Sequence, residues 1–96
     1  MNARELLRAR RKDILGIAAR HGVTSIRVFG SAVRGEDKAI GDIDFLVEVG
    51  SVHSPWFPAG LIADLEDLLG VRIDIVTEQS LHWYIRDRVL AEARPL

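Results

Sequence analysis

Gly41-Asp42-Ile43-Asp44-Phe45-Leu46-Val47-Glu48-Val49 is the stretch that decides how this chain folds. Apolar residues at 43, 45, 47 and 49 alternate with Asp42, Asp44, Leu46 and Glu48. This period of two sends successive side chains to opposite sides of a strand. The pattern predicts a strand over Ile43–Val49, with one side buried and the other carrying carboxylates. Asp42 and Asp44 project to the same side about 6–7 Å apart, near enough to share one divalent cation or a close pair of them.

Upstream, residues 2–20 read as a helix, with Ala3, Leu7, Ile14, Ile17 and Ala18 on one face. Arg10 or Arg11 interrupts that stripe, so the helix is expected to be partly covered, and Gly22 is its stop. A short strand follows over 25–29, with Ile26 and Val28 on one face. The chain then turns at Gly30-Ser31, and Ser31–Arg34 is expected to form one helical turn ending at Gly35.

Downstream, the Gly- and Pro-punctuated stretch 50–58 reads as a loop. An amphipathic helix over Ala59–Leu69 carries Leu61, Ile62, Leu65, Leu68 and Leu69 on one stripe, and Gly70 ends it. Residues 71–76 form a third strand, with Val71, Ile73 and Ile75 facing one way and Arg72, Asp74 and Val76 the other. Thr77 or Ser80 is expected to cap a last helix through about Ala93, and Pro95 forbids its continuation. The expected fold is α+β in two layers, a small mixed sheet with helices packed on one face. The other face carries the acids.

With 96 residues, 48% of them apolar, the chain is expected to be one domain over 1–96 with a modest core. A domain of this size gains from a partner that covers part of its surface. The absence of cysteine excludes disulfides, thiolate catalysis and cysteine–zinc sites. The charged start (Arg4, Glu5, Arg8, Arg10, Arg11) is not a signal peptide, and no apolar run approaches the ~18 residues of a membrane span. A soluble, cytoplasmic protein is the expectation. A net charge of −1 gives no general attraction to nucleic acid, although the first helix is basic and the middle of the chain acidic.

If the three strands are neighbours, Asp42, Asp44 and Asp74 gather on one face. Three close carboxylates repel one another unless a cation lies between them. Magnesium suits such oxygen ligands, and manganese can replace it. His21, His53 and His82 do not have a transition-metal spacing. Asp74 can complete a second metal position and take the proton from an attacking hydroxyl, with attack on an α-phosphorus in line with departing pyrophosphate. Gly30 lets the backbone approach a phosphate, Ser31 adds a hydroxyl donor, and Arg34 can neutralise phosphate charge with its forked guanidinium. Glu48 and Arg72 share the acid face but read more readily as surface charges. Trp56, Phe57, Trp83 and Tyr84 complete the core or anchor a partner.

Gly30-Ser31-Ala32-Val33-Arg34-Gly35, ten residues from Gly-Ser to Asp42-Ile43-Asp44, and Asp74 on a later strand together resemble the minimal nucleotidyltransferase family of the polymerase-beta-like superfamily. The resemblance spans nearly the whole chain, with no departure at the acidic positions. It implies the nucleotidyltransferase fold and magnesium-dependent transfer of AMP from ATP. The catalytic and metal-holding residues would be Asp42, Asp44 and Asp74, with Gly30, Ser31 and Arg34 at the nucleotide. Stand-alone chains of this length resemble antitoxins of prokaryotic toxin–antitoxin pairs. The resemblance then implies a HEPN-domain ribonuclease toxin as partner, a tyrosine hydroxyl on it as acceptor, a hetero-oligomer, and nucleic acid met only through the toxin. The alternative is a nucleotide-liganded antitoxin that neutralises by stoichiometric occlusion. Transfer to RNA or a small molecule without a partner is disfavoured because the chain has no room for an acceptor domain.

Overall fold

The computed structural model describes residues 2–34, 41–53 and 55–96. Its elements, in chain order, are α1 (Ala3–Ala9), α2 (Arg11–Arg20), β1 (Val23–Phe29), α3 (Ser31–Arg34), β2 (Ile43–Val49), α4 (Ala59–Leu69), β3 (Ile73–Val76), α5 (Trp83–Glu92) and β4 (Arg94–Pro95). The strands form one sheet in the order β3-β2-β1-β4. β2 runs parallel to β3 and antiparallel to β1, and β4 is antiparallel to β1. The parallel pair requires a crossover, which α4 supplies.

β2 is central, and its two sides differ as its alternation predicts. Ile43, Phe45 and Val47 are essentially buried and pack with Ile14, Ile17 and Leu61 beneath α2 and α4. α4 buries Leu61, Leu65 and Leu69 and ends at Gly70, which takes the left-handed conformation (φ 69°) that glycine adopts without strain. The α+β fold with a mixed sheet is as expected. The difference lies in α5. Leu46, on the acid side of β2, is buried with Val89 and Ala93 against α5, so that side is half covered rather than bare.

Other boundaries also moved. The helix expected over 2–20 is broken at Arg10, whose backbone leaves the helical region. The break swings α1 toward α3, where the Arg4 guanidinium donates to the Val33 carbonyl at 3.4 Å. Thr77 does cap, but only a single 3₁₀ turn over Glu78–Ser80. The Thr77 hydroxyl accepts from the Ser80 N–H at 3.2 Å and the Ser80 hydroxyl accepts from the Thr77 N–H at 2.9 Å. This reciprocal pair closes the turn on itself, and α5 starts afresh at Trp83. β3 begins two residues later than expected, at Ile73, whose N–H donates to the Glu66 carboxylate at 3.1 Å. β4 was not anticipated: Arg94 and Pro95 pair with Val28 and Arg27 at the sheet edge, where proline is tolerated. Gly35, the expected end of α3, lies outside the described residues. Among those residues no helix is long and apolar enough to cross a membrane.

Candidate active site

Strand register brings the acids together. Asp44 is paired with Asp74 on β3 and, on its other side, with Phe29 at the end of β1. Neighbouring strands lie about 4.8 Å apart, so Asp44 and Asp74 are side by side while Asp42 sits one pleat upstream. Asp42 and Asp74 are exposed and Asp44 is half-buried. Burial holds the Asp44 carboxyl above its ordinary pKa, and the charges of Asp74 and Asp42 push it further the same way; Arg34 opposes them. A group whose ionisation is resisted by two other carboxylates is chemically suited to a hard divalent cation, which would relieve all three. Among the described residues, as their side chains stand, no group of three acidic or histidine residues is already converged as a metal cage.

Directly after Phe29 comes Gly30, with φ +80°. A Cβ there would lie 2.5 Å from the Asp44 Oδ2 atom, so glycine is required for the turn and also leaves room for the carboxylate. Ser31 opens α3, whose Val33 and Arg34 N–H groups donate to the Gly30 carbonyl at 3.0 and 3.1 Å. The Gly-Ser turn and the aspartate pair, separated by ten residues in sequence, thus touch in space.

Arg34 also reaches this neighbourhood, since its charge is felt at Asp44. Its Nη1 donates at 2.8 Å to Glu92 Oε1 at the end of α5, a carboxylate only 16% exposed. Glu92 raises the Asp44 pKa as well, which places a fourth acid at the site. Sequence reading missed it. Its only local signal is a position near the end of a helix, and its partner is 58 residues away. Arg72 is 87% exposed with Nε 3.9 Å from Asp42 Oδ1, a loose surface pair beside the cluster. Glu48 shares the face but lies exposed two pleats beyond Asp44, and His53 and His82 are exposed. Trp56, Trp83 and Tyr84 are exposed rather than part of the core, whereas Phe57 packs against it.

Residues 10–96 match the nucleotidyltransferase domain family. A solved structure described as a candidate minimal nucleotidyltransferase superimposes with a TM-score of 0.83 at 47% identity, covering 100% of this chain and 97% of that one. The chain belongs to the minimal nucleotidyltransferase family. Within it, a protein of Methanocaldococcus jannaschii named as a candidate protein adenylyltransferase is 39% identical, over 97% of this chain and 96% of its own length. The protein adenylyltransferase MntA of Thermococcus cleftensis is 41% identical, over 91% of this chain and 85% of its own. Solved toxin–antitoxin structures share the fold at lower identity. One, with AMP-PNP, gives a TM-score of 0.72 at 20% identity, covering 88% of this chain and 69% of that one. An MntA–HepT pair gives 0.66 at 17%, covering 91% and 68%. The chain is therefore a nucleotidyltransferase by family, with the enzyme's fold.

Proposed function

We propose that this protein is a magnesium-dependent adenylyltransferase that transfers AMP from ATP to a hydroxyl, a tyrosine's, on a partner HEPN-type ribonuclease toxin, and so acts as its antitoxin. The observation that carries the reading is the contact of the Gly30 turn with Asp44, itself in register with Asp74. The protein adenylyltransferase names of the relatives and the toxin–antitoxin neighbours support the acceptor being a protein.

Asp42, Asp44 and Asp74 would hold magnesium (manganese as a substitute), which when bound offsets triphosphate charge and stabilises departing pyrophosphate. Gly30 lets the main chain close on the phosphates, and the Ser31 hydroxyl and Arg34 guanidinium donate to them. Asp74 accepts the proton of the acceptor hydroxyl. The acceptor oxygen bonds to the α-phosphorus as the bond from that phosphorus to the pyrophosphate oxygen breaks. Glu92 holds Arg34 in place until the triphosphate draws it away.

The test is co-expression with a HEPN-type partner, followed by mass spectrometry of that partner. The expected result is an added mass of one or more AMP units that disappears with Asp42→Asn or Asp44→Asn. Neutralisation that survives those substitutions with an unmodified partner would instead assign occlusion.

A further inference from the structure

Four arginines gather at one place on the surface. Arg4, Arg8, Arg11 and Arg94 line one pocket of about 500 Å³, and none of its lining side chains is acidic. Among the described residues none of the four is paired with an acidic side chain, which is equally true of Arg20 and Arg88, whereas Arg10, Arg27, Arg34, Arg72 and Arg86 each have a carboxylate at 2.8–3.9 Å. What distinguishes the four is that they share one pocket. Arg4 and Arg11 donate to the Val33 and Leu96 carbonyls at 3.4 and 3.0 Å, and Arg94 to the Ala91 carbonyl at 2.9 Å. The carbonyl contacts of Arg4 and Arg94 leave their positive charge uncompensated. Each keeps further N–H donors for an anion.

The floor between them is aliphatic, formed by Leu7, Val28, Ala32, Val33, Pro95 and Leu96. We propose that this pocket docks an acidic segment of the protein partner, with its carboxylates on the arginine rim and an aliphatic side chain on the floor. This rests on the reading that the acceptor is a protein. Charge complementarity requires an anion, and the floor requires apolar atoms between the charges. A nucleic acid fits less well. No aromatic ring lines the pocket to stack on a base, and a net charge of −1 gives a polyphosphate backbone no wider attraction. The volume holds a few side chains rather than a whole helix.

Position adds purpose. Ala32 and Val33, which form one wall, belong to α3, the same short helix that Ser31 begins beside the acids. A partner seated there lies against the same short helix that carries Ser31 and Arg34.

Fluorescence anisotropy at low salt with a labelled Glu-Leu-Glu-Glu-Leu-Glu peptide tests the pocket. The wild-type chain should bind it and ignore the Lys-Leu-Lys-Lys-Leu-Lys counterpart. Arg8→Glu with Arg94→Glu, both at exposed positions, should weaken binding about tenfold or more. Arg8→Lys with Arg94→Lys should retain most of it, which separates charge from misfolding. Equal affinity in the Glu and Lys variants, no binding by the wild type, or tighter binding of a short RNA of equal charge would overturn the proposal. Calorimetry of ATP uptake with magnesium is read in parallel. Loss of nucleotide binding with retained peptide binding would sink the transfer reading and leave the pocket standing; the converse would sink only the pocket.

Discussion

Asp44 and Phe45 are neighbours in sequence and opposites in function. Phe45 points under α2 and α4 into the closed side of the sheet and is fully buried, while Asp44 points to the side that α5 covers only in part. On the closed side the buried residues are all apolar, and the free energy comes from removing surface from water. On the half-covered side a carboxylate is kept where its ionisation is opposed. The same strand therefore stabilises the fold with one set of residues and stores unfavourable charge with the alternate set. Such a division suits a site completed by ligands that the chain does not itself supply.

The widest separation of the two sides comes from substituting these two residues. Asp44→Asn should reduce nucleotidyl transfer by about 10³-fold, the loss of several kcal/mol of transition-state stabilisation, with Tm not lowered. Phe45→Ala should cost about 3–5 kcal/mol of stability, read as a shifted urea midpoint. The comparison breaks if Asp44→Asn lowers the midpoint as much as Phe45→Ala does.

The closed side was legible in the sequence because its signals are local. Alternation in 43–49 and the leucine stripe of 59–69 each report burial within a few residues, and both elements have the bounds that their periodicity predicts. The half-covered side was legible only in part. Asp42, Asp44, Asp74 and the Gly30 turn could be anticipated as strand phases, but their union depends on register. Nothing local to residues 83–92 says which side of the sheet they cover. The Arg34–Glu92 bridge, the β4 pairing and the bend at Arg10 are settled by contacts between distant residues, which propensity and periodicity do not encode.

Gly30 is where the two kinds of information meet, and its substitution sharpens the contrast at intermediate size. Gly30→Ala places a Cβ against the Asp44 carboxylate in a left-handed conformation. The strain should cost about 1–2 kcal/mol of stability. Transfer should fall by more than that strain accounts for, because Asp44 itself must move. Equal proportional losses would mean that the contact is structural only.

A smaller effect is expected at Glu92→Gln. Glutamine keeps the shape and still accepts a hydrogen bond from Arg34, so the guanidinium remains oriented while a negative charge beside the triphosphate is removed. KM for ATP should fall about threefold, with kcat little changed, the scale of a partly exposed ion pair. An unchanged or raised KM would place Glu92 outside the reach of the nucleotide.

The smallest expected effect is also the most direct measure of stored charge on the acid side. In chelator, the folded chain holds the Asp44 proton more tightly than the unfolded chain does. Between the ordinary carboxylate pKa and that raised value the native state binds more protons, so stability falls as pH rises; above both, the loss is constant. Asp44→Asn removes the titration, and its Tm should exceed the wild type's at neutral pH. The gap should close as pH falls through the carboxylate range. Added magnesium should narrow it at neutral pH, by stabilising the wild type alone. A gap independent of pH would assign the difference to packing around residue 44, and the two sides of β2 would then differ less than their chemistry implies.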